Sequence, residues 1–401
     1  MSVSLKIIQI LHHSSSWKSK NIEDDIFDGW HVRTARAIQQ LGIKSCKIEC
    51  WLPERTYSQE CQTEKDGITY RVFPSFAFNY GREISWSMIN AIKAESKNPI
   101  LLHLHGIFNC STYLIGKLHG NLPIIAQHHG DCPPLNLLQR RPLFYTILPL
   151  LEFEHFFLNK FIHNIDWFFC LTKTAQQSLN YLGIKNKSSI QGMGVDFNKF
   201  KIESKIDARK KLNLPTDTKI LLYIGKLDRY KGSDNFIHAY PIIKKERNAV
   251  LLIVGASESD EFYKQAIHSG AIILPRQAHE DLVRFYQAAD IFILPGSEQY
   301  NRWGGIGVNT IESLACNTPV ITGTLSHFPQ PSAKIGILAS KSSGIISAVD
   351  YILRNYNEFT HCREVAQKYY TWQIIAYNTY LIYEKLFRKY YNIKLEKNNA
   401  K

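Results

Sequence analysis

Residues 290–323 constrain the fold more than any other stretch of this 401-residue chain. Ile291-Phe292-Ile293-Leu294 is a short, unbroken apolar run, which predicts a strand buried on both faces and stopped by Pro295-Gly296. A polar loop leads to three glycines within four residues, Gly304, Gly305 and Gly307. A helix is expected over 309–316, closed by Asn317-Thr318-Pro319, and Val320-Ile321 opens a second buried strand. Strand, glycine turn, helix and strand in that order place the turn at a helix N-terminus. Unpaired backbone N–H groups and the helix dipole there can hold an anion or a sugar hydroxyl, and glycine lets a ligand approach the backbone closely. Glu312, inside the predicted helix, offers a carboxylate to two ribose hydroxyls.

The same alternation of apolar run and amphipathic segment recurs along the chain. Strands are expected at 5–11, 45–52, 68–73, 100–105, 122–126, 167–172, 188–190, 220–224, 250–255, 271–274 and 335–338. Helices are expected at 29–41, 86–95, 110–118, 173–182 and 280–289, from Ser343 and from Glu358, and at 372–390. This is an α/β pattern. Two strands end in histidine and glycine, at His105-Gly106 and at His128-His129-Gly130. Open parallel sheets bind ligands at such ends, although a hydrogen-bonded core histidine is the competing reading for each. The strand at 220–224 runs into Gly225 and Lys226, with Lys231-Gly232 just beyond, an arrangement suited to a diphosphate. The polar run 202–218, with a short helix, fits a connection between domains.

Lys and Arg exceed Asp and Glu by 48 to 35, so an anionic partner is expected: a nucleotide diphosphate, an acidic membrane surface or nucleic acid. No aromatic-basic motif supports the last. The eight cysteines form no C-x-x-C pair, which reads as free thiols in a reducing cytoplasm and no structural zinc. The N-terminus lacks the pattern of a signal peptide, and no run of apolar residues is long enough to span a bilayer. Neither a Walker loop nor a G-x-G-x-x-G after the first strand occurs. Residues 140–162 are aromatic and apolar with a basic head; they read either as a helix on the first sheet or as a patch on lipid headgroups.

Gly305-Ile306-Gly307, Glu312 and Pro319-Val320-Ile321 resemble the donor-site signature of family 4 of the retaining GT-B glycosyltransferases (glycosyl transferases group 1). That resemblance implies two Rossmann-like domains facing each other across a cleft, with a C-terminal helix crossing back onto the first. The domains are expected at 1–198 for the acceptor, at 199–371 for the donor, and at 372–401 for the crossing helix and basic tail. The family's first glutamate falls at Gly304, and Glu298, six residues upstream, is the candidate replacement. Gly225-Lys226-Leu227 and Lys231-Gly232 resemble the family's Gly-Arg-Leu…Lys-Gly motif, with lysine in the arginine position. Gly192-Met193-Gly194-Val195-Asp196 resembles its Asn-Gly-Val-Asp turn.

The resemblance implies transfer of a sugar from a nucleotide-diphosphate donor with retention, uridine being the first choice of base and guanosine the second. His129, Lys226 and Lys231 are the expected catalytic group. Gly225, Arg276, Glu298, Gly305, Ile306, Gly307, Val308 and Glu312 are expected on the donor, and Gly29, His105 and His128 on the acceptor side. The lysines would neutralise the diphosphate, so a metal-independent reaction with no cofactor is expected. The acceptor is a glycan or a lipid-linked sugar, and the setting is cytoplasmic, peripheral at an anionic membrane surface. A catalytically weak nucleotide-sugar-binding subunit and a nucleotide-sugar epimerase of the same fold are the alternatives.

Overall fold

A computed structural model describes residues 5–13, 26–77, 83–131, 159–325 and 334–397. Contacts divide the chain into two units, residues 1–191 with 375–401, and residues 192–374. The first unit is built on β1 (Leu5–Leu11), β2 (Cys46–Glu54), β3 (Cys61–Lys65), β4 (Ile68–Pro74), the small β5 (Phe76–Ala77) and β6 (Glu83–Ile84), β7 (Ile100–His105), β8 (Ile124–Gln127), β9 (Trp167–Cys170) and β10 (Ser188–Ile190). Its main sheet runs β10-β9-β8-β7-β1-β2-β4-β3, parallel except for β3. Every residue of β7 is buried, the result of helices covering both faces of a parallel sheet. Each large aliphatic side chain so enclosed contributes about 1.5–3 kcal/mol relative to exposure. Helices α1 (Trp30–Gln39), α2 (Trp86–Glu95), α3 (Cys110–His119) and α4 (Lys173–Tyr181) accompany it. Ser85, Asn109 and Thr172 cap the last three by accepting from backbone amides in their first turns.

The second unit holds a fully parallel sheet of β11 (Lys219–Ile224), β12 (Ala249–Val254), β13 (Ile272–Leu274), β14 (Ile291–Leu294), β15 (Val320–Thr322) and β16 (Gly336–Leu338), in the order β13-β12-β11-β14-β15-β16. With it go α5 (Lys205–Lys211), α6 (Ser233–Glu246), α7 (Tyr263–His268), α8 (Leu282–Ala288), α9 (Val308–Ala315), α10 (Ser342–Arg354) and α11 (Cys362–Tyr370). The expected helix from Glu358 starts instead at Cys362, because residues 356–359 form a separate 3-10 turn. At the N-terminal edge of β14, Asp290 receives Lys205 at 2.7 Å, Arg209 at 2.6 Å and the Ile220 amide at 2.8 Å. Burial pushes the Asp290 carboxyl up, but those partners prevail and hold it below the usual carboxylate range.

The last helix, α12 (Trp372–Tyr391), belongs to the first unit from Ile375 onward. Thr379 accepts from Gln191, Tyr383 meets Gln9 and His103, and Lys389 pairs with Asp166 at 2.7 Å. Both sheets reverse direction of growth once, between β1 and β7 in the first unit and between β11 and β14 in the second. Open α/β sheets take their ligands outside the C-terminal strand ends at that point.

Candidate functional site

In the second unit the switch point is formed by the loops after β11 and β14. Gly296 donates to the Lys231 carbonyl and Ser297 to that of Tyr230, each at 3.0 Å, so the loops are laced together. Gly225 takes φ 137°, and a Cβ on it would lie 2.7 Å from Lys231 Nζ. The lysine amine therefore rests over a bare Cα that only glycine permits. Burial lowers the Lys231 pKa, against the pull of Asp228 and Asp260. Among the described residues, Nζ makes no hydrogen bond and no ion pair. Asp228 is spent locally, accepting from the Lys231 amide at 2.9 Å. Lys226 is exposed, its carbonyl held by the Tyr223 hydroxyl at 2.6 Å.

The glycine turn lies next to that amine. Asn309, in the first turn of α9, donates to the Ile224 carbonyl at 3.0 Å and ties the helix start to the end of β11. Gly307 caps α9 without a side-chain hydrogen bond, and Gly305 adopts φ 62°, ψ −153°, a region open to glycine alone. The N–H groups of Ile306, Gly307 and Val308 donate to none of the described residues, whereas that of Gly305 closes the helical turn over 300–304. A helix start with free amides beside a desolvated ammonium has the elements of an anion site. Arg276 is exposed just beyond β13, at the sheet edge.

Of the two expected donor-side carboxylates, one is turned to solvent and one is engaged within the fold. Glu298 does not fold back over the turn; its side chain is 91% exposed, 4.0 Å from Arg302, because residues 300–304 coil into a helical turn that keeps it at the far end. The place a side chain at Gly304 would enter is closed by Tyr300, whose ring carbons lie 3.3 Å from the position of an added Cβ. Glu312 does not stand open either. It is buried, with Oε1 2.6 Å from His279 Nε2 and Oε2 accepting from the Tyr286 hydroxyl at 2.8 Å. His279, a third exposed, is thus a neighbour that sequence reasoning missed.

In the first unit the C-terminal ends of β1, β7 and β8 bring histidines together. His129 is half-buried, its Nε2 2.9 Å from His105 Nδ1 and its ring stacked 6.0 Å from Trp30. Gly29 begins the helix that carries Trp30, so Gly29 and His129 share one neighbourhood. Asp131 accepts from the amides of Ile107, Phe108 and His129 and fixes the turn. Burial holds the His129 pKa well below the usual imidazole range despite Asp131, so the ring is neutral at physiological pH. His105 and His128, expected on the acceptor side, are fully enclosed. His105 spends both ring nitrogens, on His129 and on Gln9, and His128 bonds the Asp131 carbonyl through Nε2. Trp30, Gln9 and Asp131 escaped the sequence reading. The His-x-His spacing of two at His103 and His105, one face of a strand, was the readable signal.

Among the described residues, no three His, Cys, Asp or Glu side chains gather to hold a metal ion, and no helix is long and apolar enough to cross a membrane. Residues 140–158 of the aromatic-basic patch lie outside the described residues.

Residues 204–368 match the family model for glycosyl transferases group 1. A D-inositol 3-phosphate glycosyltransferase from Mycolicibacterium smegmatis is 30% identical over 169 residues, 39% of this chain and 37% of that protein. The chain spans less than half the length of the curated relatives it matches. Sucrose-phosphate synthase from Thermosynechococcus elongatus superposes with a TM-score of 0.68 at 18% identity, covering 96% of this chain and 99% of that one. HepE of Anabaena, solved in complex with UDP-glucose, superposes with a TM-score of 0.62 at 12% identity, covering 95% and 99%. Residues 204–368 are therefore a glycosyl transferases group 1 domain, in a chain whose parallel-sheet units have the fold of GT-B glycosyltransferases such as sucrose-phosphate synthase.

Proposed function

We propose that the protein is a retaining glycosyltransferase of family 4 that moves a sugar from a nucleotide diphosphate to a glycan or lipid-linked acceptor. The observation that carries this reading is the Lys231 ammonium, half-buried and partly desolvated, unpaired among the described residues and lodged over Gly225 beside the free amides of the glycine turn. A buried charge without a partner is costly, and an anion that completes it recovers that cost. Negative charge grows on the diphosphate as the glycosidic bond breaks. Lys231, Lys226 and the amides from Ile306 to Val308 stabilise it there without a metal ion or other cofactor. Arg276 lies by the base. Glu312 holds the ribose, with hydroxyls entering where His279 now covers the carboxylate. His129, with Gly29 nearby, positions the transferred sugar.

UDP is the first choice of nucleotide and GDP the second; the fold shared with the UDP-glucose complex of HepE supports the first. The net charge of +13 suits work at an anionic membrane face in the cytoplasm. The test is release of nucleoside diphosphate from a panel of sugar nucleotides with and without acceptor sugars, followed by the anomeric configuration of the product. Acceptor-dependent release with retention is expected. Tight nucleotide binding without turnover would assign a binding subunit, and conversion of donor without acceptor an epimerase.

A further inference from the structure

His129 stands at the end of a hydrogen-bonded chain that begins on α12. Tyr383, fully enclosed, lies 2.6 Å from His103 Nδ1 and accepts from Gln9 Nε2 at 2.8 Å. The Gln9 amide nitrogen donates to the Tyr383 oxygen, which leaves the Tyr383 hydroxyl hydrogen directed at His103 Nδ1. This turns Gln9 Oε1 toward His105 Nε2, 2.8 Å away, which must carry the His105 proton. Burial, and after it the neighbouring histidines, keep His105 neutral, so its Nδ1 is bare in turn. Among the described residues, the donor facing it is His129 Nε2, at 2.9 Å. His129 is neutral, and its one proton is thereby committed inward.

We propose that the relay Tyr383–Gln9–His105 fixes His129 in the Nε2–H tautomer and makes its Nδ1 a hydrogen-bond acceptor toward ligand. The site in the first unit then takes a hydroxyl group and disfavours a phosphate or carboxylate oxygen, which would face a lone pair. Among the described residues, His129 Nδ1 has no partner, and the stacked Trp30 ring limits how far the imidazole can turn. Gln9, His105 and Tyr383 act as positioning residues, because each touches the ligand only through His129. The hydroxyl assignment rests on the glycosyl-transfer reading; the tautomer does not.

Isotope-labelled histidine ring nitrogens in the full-length protein report the tautomer directly by NMR, with His129→Asn identifying the His129 signals. The expected spectrum shows a protonated Nε2 and a bare Nδ1. Gln9→Leu removes the acceptor for His105, and Tyr383→Phe frees the Gln9 amide to turn over; each should give His129 a mixture of tautomers. With a sugar nucleotide that turns over, Gln9→Leu should lower kcat/KM about tenfold, the scale of one lost hydrogen bond, and leave nucleoside diphosphate affinity unchanged. A proton on His129 Nδ1 in the native protein overturns the proposal, as does a tautomer unmoved in both variants. Should no donor turn over, the functional reading fails while the native spectrum still decides the relay.

Discussion

Replacing Lys231 with methionine separates the cost of the cradle from its use. The side chain keeps its length and loses its charge. In the free protein the ammonium is held in a desolvated position that lowers its pKa below 10.5, burial being the main cause. A basic group depressed in this way weakens folding at neutral pH. That cost disappears as pH rises through the folded pKa toward 10.5, where the unfolded chain also loses its proton. Lys231→Met should therefore stabilise the free protein at neutral pH and raise its melting temperature, by roughly 2–4 °C for each kcal/mol gained in a unit of this size. The gain should shrink at alkaline pH. With nucleotide bound the sign reverses. One charge-assisted hydrogen bond to a phosphate is worth about 1.5–3 kcal/mol, so donor affinity should fall by about one to two orders of magnitude. Thermal scans with and without UDP, run beside steady-state kinetics, read both effects. A less stable free protein whose UDP-induced shift and kcat/KM match the native enzyme would refute the phosphate role.

Gly305→Ala forces a side chain into φ 62°, ψ −153°, so stability should drop by about 1–3 kcal/mol; donor KM should rise with it, and an unchanged melting curve would deny the strain. Asp290→Asn leaves Arg209 and Lys205 facing an amide, at an expected cost of about 3 kcal/mol in urea unfolding. In the native protein this contribution is complete above pH 3.8 and lost as pH falls through the depressed folded pKa, so the variant's acid-unfolding curve should flatten in that range. Glu312→Gln retains one acceptor where two are needed by His279 and Tyr286, and should cost about 1–3 kcal/mol. A rise in donor KM without change in kcat would mark ribose binding; equal KM would leave Glu312 structural.

Strands buried on both faces were legible because an apolar run has few other uses in a chain of this composition. The run 291–294 falls where the sequence places it, every residue buried. β3 was not legible, since its five residues are all exposed and carry no alternation. Its signal lay in the turn Asp66-Gly67, both at positive φ, which joins it to β4. The glycine turn was legible as chemistry, but the direction of Glu312 was not. Position in a helix does not say which neighbour a carboxylate finds, and His279 and Tyr286 come from 33 and 26 residues away. For the histidines the missing information was register. Gln9 lies opposite His103, and Leu11 opposite His105, so β1 and β7 set the glutamine and both imidazoles on one face of the sheet.

The two switch points carry opposite electrostatic solutions to the same topological opportunity. At the ends of β11 and β14 a cation is kept charged against desolvation, with backbone amides but, among the described residues, no carboxylate paired with it. At the ends of β1 and β7 the members of the relay are neutral, the nearby Asp131 carboxylate being taken up by three backbone amides, and each proton of the relay is assigned by the next hydrogen bond. A phosphate needs the first environment, because only a full charge repays stripping its water. A sugar hydroxyl needs the second, because a charge there would bind solvent or anions in its place. A transferase acting on a sugar nucleotide requires both environments at once, so altering one alone is the sharpest internal check. Removing the charge by Lys231→Met should weaken nucleotide binding while the His129 tautomer stays as it was.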